Sequence, residues 1–179
     1  LGYGVTGCFD SSDSMRGVSA CFLLSGVKNL TLKNLTFLKT AGFACQIGRI
    51  DGFNIENLQF KSCFADGLHV NGGVKKGVIK NLYGHTEDDL IALNAYDWDN
   101  SSINFGCIEN LTVDGVYAMG DKNAHKSFRI QPGVYPYKNG ETEDCYIKNL
   151  TVKNVSGVTT FKMYLQTPAY TSLPEKRVG

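Results

Sequence analysis

The sequence has no excess of charge of either sign: 18 Lys and Arg against 17 Asp and Glu leave a formal charge of +1 at pH 7. Its cations are dispersed, which argues against a nucleic-acid footprint and against a membrane-surface patch. Long apolar runs are missing as well. The longest, such as Ala20 to Leu24, fall far short of the roughly 20 residues that cross a bilayer, and the first residues carry no signal-peptide pattern. No partner among nucleic acids or membranes is therefore expected, and a monomer is. There is no initiator Met, and repeat-like text runs close to both ends, as expected of a processed chain or a piece of a longer one.

Metal and nucleophile signatures are also absent. The six cysteines (Cys8, Cys21, Cys45, Cys63, Cys107, Cys145) show neither Cys-x-x-Cys nor Cys/His zinc spacing. They read as buried free thiols in a core, with disulfides as the alternative. No Ser/His/Asp set or phosphate-cradling glycine loop is present, and no cofactor is expected. Of six Asn-x-Ser/Thr sites, four are one phrase, Asn-Leu-Thr, beginning at Asn29, Asn34, Asn110 and Asn149. Repetition explains them better than glycosylation does.

What is present is a repeat. Residues 1–17 are rich in Gly, Ser and Asp and read as loop or a preceding coil; from Val18 onward the text recurs. Leu30, Leu32, Leu35 and Phe37 are matched 23 positions later by Phe53, Ile55, Leu58 and Phe60. A second set of apolar pairs steps by the same 23: Phe22/Leu24, Cys45/Ile47, Leu68/Val70 and Ile91/Leu93. Phe128/Ile130 and Phe161/Met163 follow after gaps of 37 and 33. Short runs of period-two alternation, punctuated by Gly and Asn, predict strands and turns. A period near 23 with two or three strands predicts an all-β chain, a right-handed parallel β-helix with one domain over 1–179 and its repeats over 18–179. Loops are expected to be inserted at Tyr96 to Phe105 and at Val134 to Glu143. If the apolar pairs point inward, Leu23, Gln46, His69, Ala92, Arg129 and Lys162 form one exposed column.

The same period brings acids together. Asp66 and Asp89 are 23 positions apart, so Asp66, Asp88 and Asp89 should converge at one strand edge. Clustered carboxylates raise one another's pKa, so the cluster is either neutralised or used. A metal would be calcium, held by hard oxygen ligands. Catalysis would keep one acid protonated for a leaving group while its partners activate a water, with roughly 6.5–9.5 Å between acid and base for inversion. Turn chemistry is the plain alternative for Asp-Gly and Asp-Asp.

The segment from Arg16 to Asn94, with RGVSACFLLSGVKNLTLKNLTF, the Asp66-Gly67 pair and Glu87-Asp88-Asp89-Leu90-Ile91-Ala92-Leu93-Asn94, resembles the polygalacturonase family of glycoside hydrolases. That resemblance implies a secreted or periplasmic enzyme acting on a polysaccharide or oligosaccharide. It implies Asp89 as general acid and Asp66 with Asp88 as the water-activating pair. After Asn94 the pattern departs: there is no Gly-His-Gly, and Phe128-Arg129-Ile130-Gln131 has Gln where the family has Lys. Two registers are open. Either Arg129 is the family's substrate-binding Arg, or His125-Lys126 stand in the His coil and Phe161-Lys162-Met163 in the Arg-Ile-Lys coil. Both alter the cation pair that would grip a uronate. His69, His125, Lys126, Arg129, Gln131, Lys162 and Trp98 are thus candidate substrate contacts, and Tyr96, Tyr135 and Tyr137 are candidate stacking aromatics. His85 suits a structural hydrogen bond. A calcium-dependent lyase and a non-catalytic carbohydrate-binding solenoid are the alternatives.

Overall fold

A computed structural model describes residues 20–97, 101, 103–120 and 126–164. Trp98, His125, Cys8 and the 1–17 segment lie outside the described residues. Within them the chain is all-β. Strands alternate in chain order between two parallel sheets. One holds β1 (Phe22–Ser25), β3 (Cys45–Gly48), β5 (Leu68–Asn71), β7 (Asp89–Asn94), β9 (Ser127–Gln131) and β13 (Thr160–Met163), in that spatial order. The other holds β2 (Lys28–Leu38), β4 (Asp51–Cys63), β6 (Val74–Thr86), β8 (Ile108–Ala118) and β12 (Ile147–Ser156). An antiparallel pair, β10 (Gly133–Pro136) with β11 (Thr142–Cys145), stands apart from both.

This corrects the expectation of a single right-handed parallel β-helix with coils of about 23 residues. Two separate parallel sheets of six and five strands, with a two-stranded antiparallel insertion, are found instead, and the step between registered strands is not uniform. Phe22 pairs with Cys45 and Cys45 with Leu68, a step of 23, but Phe53 pairs with Gly77, Gly77 with Leu111 and Leu111 with Leu150. The physical reason is local. The first three short strands, β1, β3 and β5, are each followed at once by a glycine or a left-handed residue, Gly26 at φ 70°, Arg49 at φ 53° and Gly72, which sends the chain out of its sheet and into the other.

The long strands are themselves bent. Asn29 and Asn34 in β2, Asn57 in β4, Asn81 in β6, Asn110 in β8, and Asn149 and Asn154 in β12 all have φ between 54° and 57°. Asparagine tolerates this region better than most side chains because its short amide bonds locally. Here the amides also bond to one another: Asn57 donates to Asn34 and Asn81 to Asn57, each at 3.0 Å. The Asn-Leu-Thr phrase is accordingly a bend signal. Register on this sheet is further marked by a row of alternating charge, Lys33, Glu56, Lys80, Asp114 and Lys153, with ion pairs at 2.9 Å (Lys33–Glu56) and 3.2 Å (Lys153–Asp114). Opposite charges side by side on adjacent strands favour this pairing over a slipped one.

One hydrophobic core is fed by both sheets. Ile47, Leu68, Val70, Ile91, Leu93 and Phe128 come from the first sheet, Ile55, Leu58, Phe60, Ile79, Leu82 and Val113 from the second, and all are buried. Full burial of each such side chain contributes about 1.5–3 kcal/mol. Among the described cysteines, Cys45, Cys63 and Cys145 are buried thiols, Cys107 is half-buried and Cys21 exposed.

Candidate functional site

The first sheet aligns Asp66 and Asp89 by its own hydrogen bonds. Gly67 N donates to Asp89 O at 2.9 Å, and Asp89 N donates to Oδ1 of Asp66 at 3.0 Å. Glycine is required at 67 by crowding: a Cβ there would stand 2.6 Å from the Leu90 carbonyl oxygen. The Asp-Gly pair therefore serves close strand approach and not a tight turn. Asp88 immediately precedes β7, its carbonyl accepting from Thr86 Oγ1 at 2.8 Å. Carboxylate oxygens of Asp66, Asp88 and Asp89 come within 4.8 Å of one another, closer than the gap expected between an inverting acid and base. Asp66 and Asp89 are buried, whereas the Asp88 side chain is 30% exposed.

Two cations close this cluster. Arg129 registers with Ala92 and Lys162 with Arg129, so the cations come from the next two strands after β7. Lys162 Nζ donates to Asp89 Oδ1 at 2.9 Å and lies 3.7 Å from Asp88 Oδ1. Arg129 Nε is 2.6 Å from Asp89 Oδ2 and its Nη2 is 3.7 Å from Asp88. The Nε approach is a charge contact rather than an aligned hydrogen bond. Burial would loosen the Arg129 proton, but Asp89 and Asp66 hold it on more firmly. Ser127, registered opposite Asp89, donates its hydroxyl to Oδ1. A divalent cation would be the other way to neutralise these acids, but it would have to sit against an ammonium and a guanidinium already in place. The cluster is thus neutralised by protein cations.

A second network lies behind it. His69 is buried, stacked on Phe43 with ring centres 4.2 Å apart. Its Nδ1 is 2.5 Å from Asp66 Oδ2 and its Nε2 is 2.7 Å from Asp97 Oδ2. Asp97 also accepts from Asn71 Nδ2 at 2.7 Å and from Asn94 Nδ2 at 3.2 Å. Gln46 Nε2 donates to Asn71 Oδ1 at 2.8 Å. For His69, burial opposes the charged form, but Asp97 and Asp66 outweigh it and push the pKa up to about 10. Burial, then the Asp88 charge, pushes Asp66 up to about 6, with the His69 hydrogen bond pulling the other way.

The supposedly exposed column is therefore largely covered. Its positions register as expected from Leu23 through Gln46, His69, Ala92 and Arg129 to Lys162, yet Gln46, His69 and Ala92 are buried. Asp97, Ser101 and Ile103 fold over them: Gln46 reaches Ser101 Oγ at 3.5 Å, and Ile103 packs where a Cβ on Gly48 would be. His69 thus faces Asp66 and Asp97.

Other candidates are held in structural contacts. Gln131 Nε2 donates to Tyr96 O at 2.7 Å, and the Gln131 carbonyl accepts from Ala95 and Tyr96. It clamps the chain leaving β7. Lys126 Nζ donates to Gly120 O at 2.9 Å. Tyr96, Tyr135 and Tyr137 pack with Phe105: the Phe105 and Tyr135 rings stack at 3.7 Å, and Tyr137 meets Tyr135 edge-on at 4.9 Å. His85 lies 3.3 Å from Glu87. Sequence reading missed Ser127 and Asp97. The 37-residue step that links Ile91 to Phe128, counted from Asp89, reaches Lys126; a register shift between Asp89 and Ile91 puts Ser127 there instead, and Asp97 lies in an aperiodic loop that leaves no spacing signal.

Comparison of the chain with protein-family models, curated proteins and solved structures finds no match.

Proposed function

We propose that the protein is a glycoside hydrolase that cleaves a polysaccharide or oligosaccharide through proton transfer at the Asp66, Asp88 and Asp89 cluster. The observation that carries this reading is the convergence of three carboxylates from neighbouring strands with two cations on one sheet edge, with only Asp88 reaching solvent to an appreciable extent. Asp88 then takes the role at the glycosidic oxygen that the family resemblance implies for Asp89. Asp89 holds Arg129 and Lys162 in place, and Asp66, with a pKa near 6, is tuned to the range where a proton-transfer unit works best at neutral pH.

Substrate charge follows from the cations. Both are already paired with Asp88 and Asp89, so a uronate would have to displace a buried carboxylate. A neutral or sparsely charged glycan is the preferred substrate, and unsubstituted polygalacturonate a poor one. The test is a reducing-sugar assay over neutral and acidic polysaccharides, with and without chelator, comparing wild type with Asp88→Asn. Cleavage insensitive to chelator, falling about 10²–10⁴-fold in the variant, is expected. Wild-type rate in Asp88→Asn, or no cleavage of any glycan, would sink the reading.

A further inference from the structure

Asp97 sits where the chain leaves the first sheet, yet it is buried and, among the described residues, its carboxylate takes side-chain donors from His69, Asn71 and Asn94. His69 connects it to Asp66, and Asp66 Oδ1 in turn accepts the main-chain N–H of Asp89. A continuous line of hydrogen bonds therefore runs from the loop after β7 back into the carboxylate cluster at the start of β7. We propose that Asp97 is a positioning residue of that cluster: it holds His69 as an imidazolium whose Nδ1–H fixes the Asp66 carboxylate against Asp89. This rests on the proposed hydrolase reading for its catalytic consequence, while its physical core is independent of it.

The geometry requires the charged ring. A neutral imidazole has one donor and one acceptor nitrogen, and His69 meets a carboxylate oxygen on each side, at 2.5 and 2.7 Å. With either neutral tautomer, one nitrogen would aim a lone pair at an anion in a buried site. Only the imidazolium donates on both sides. Asn71 Nδ2, 3.3 Å from Nε2, gives its proton to Asp97, and among the described residues the Phe43 ring stacks on the imidazole face. The charges bearing on Asp66 are His69, Asp88, Asp89 and, further out, Arg129. Of these, the only cation bonded directly to Asp66 is His69, so removing its counter-ion at 97 reaches the cluster through one ring.

The experiment reads His69 and Asp66 directly, in the full chain. Imidazole nitrogen NMR on the three-histidine protein should reveal one ring with both nitrogens protonated through pH 8. In Asp97→Asn that ring should titrate at least about one pH unit lower, and the Asp66 side-chain carbon should report ionisation at higher pH than in wild type. A wild-type His69 that is neutral at pH 7.5 overturns the proposal, and this arm needs no variant to fold. A variant with native far-UV circular dichroism but unchanged His69 and Asp66 titrations also overturns it. On any glycan that the wild type cleaves, the acid limb of the pH–rate profile should move up in Asp97→Asn. An immobile limb beside shifted NMR titrations would overturn the positioning role alone, whereas total inactivity of the wild type on all glycans would strike the hydrolase reading and leave the NMR outcome intact.

Discussion

Arg129 brings its Nε to 2.6 Å from Oδ2 of Asp89, across the step from β9 to β7. Asp89 is wholly buried, while the Arg129 side chain remains 16% exposed, so the guanidinium forms a lid between the acid and solvent. Lys162 does the same from β13. The two cations and the acid form a unit, because removing Asp89 leaves two partly buried cations without their closest acid, and removing both cations leaves Asp89 a buried charge without an ionic partner.

Asp89→Asn should therefore destabilise the fold as well as impair the site. Loss of one partner from a buried ion pair costs about 3–5 kcal/mol, which urea unfolding would record as a lower midpoint at unchanged slope. Replacing all three together, as Asp89→Leu with Arg129→Met and Lys162→Met, should recover much of that loss.

Stability should fall as pH rises through two windows. Asp66 and His69 both have folded pKa values above their ordinary ones, about 6 against 3.8 and about 10 against 6.5. Between each pair of values the folded state binds more protons than the unfolded, so raising the pH favours unfolding. The His69 contribution is complete below about pH 6.5 and lost as pH climbs through 10. Urea midpoints from pH 4 to 10 should decline in both ranges, and His69→Gln should flatten the upper one while leaving the lower decline in place.

Gln131→Ala removes the clamp on Tyr96. One side-chain hydrogen bond of this kind contributes about 0.5–1.5 kcal/mol. Amide hydrogen exchange at Asp97, whose N–H donates to the Asn104 carbonyl at 2.7 Å, should speed up more than at Leu68 or Val70. Equal acceleration everywhere would mean that Gln131 serves global stability instead of the loop.

Asn57 separates conformational from hydrogen-bond effects on the second sheet. Asn57→Ala keeps φ at 57° only at a cost of about 1–2 kcal/mol for a left-handed L-residue, and it also breaks the bonds to Asn34 and Asn81. Asn57→Gly loses those bonds but not the backbone conformation. Unfolding free energies should rank wild type above Gly and Gly above Ala.

The repeat in the sequence already determined that strands of the first sheet pair in parallel at a 23-residue step from β1 to β7, that Leu68, Val70, Ile91 and Leu93 are buried, and that Asp66 meets Asp89. Those facts depend on register, and register is carried by which side chains must leave water every second residue. The division into two sheets was less legible, because it depends on single left-handed residues such as Arg49 whose type gives no warning of their φ. Tertiary structure alone decided the rest of the site. Alternation places His69 on the outer side of its strand but is silent about the chain around Asp97, Ser101 and Ile103 that covers it. Nor does spacing say that Arg129 and Lys162, one and two strands away, both turn back onto Asp89. Long side chains choose their partners by charge and burial in three dimensions, and an aperiodic loop follows no repeat from which its path could be read.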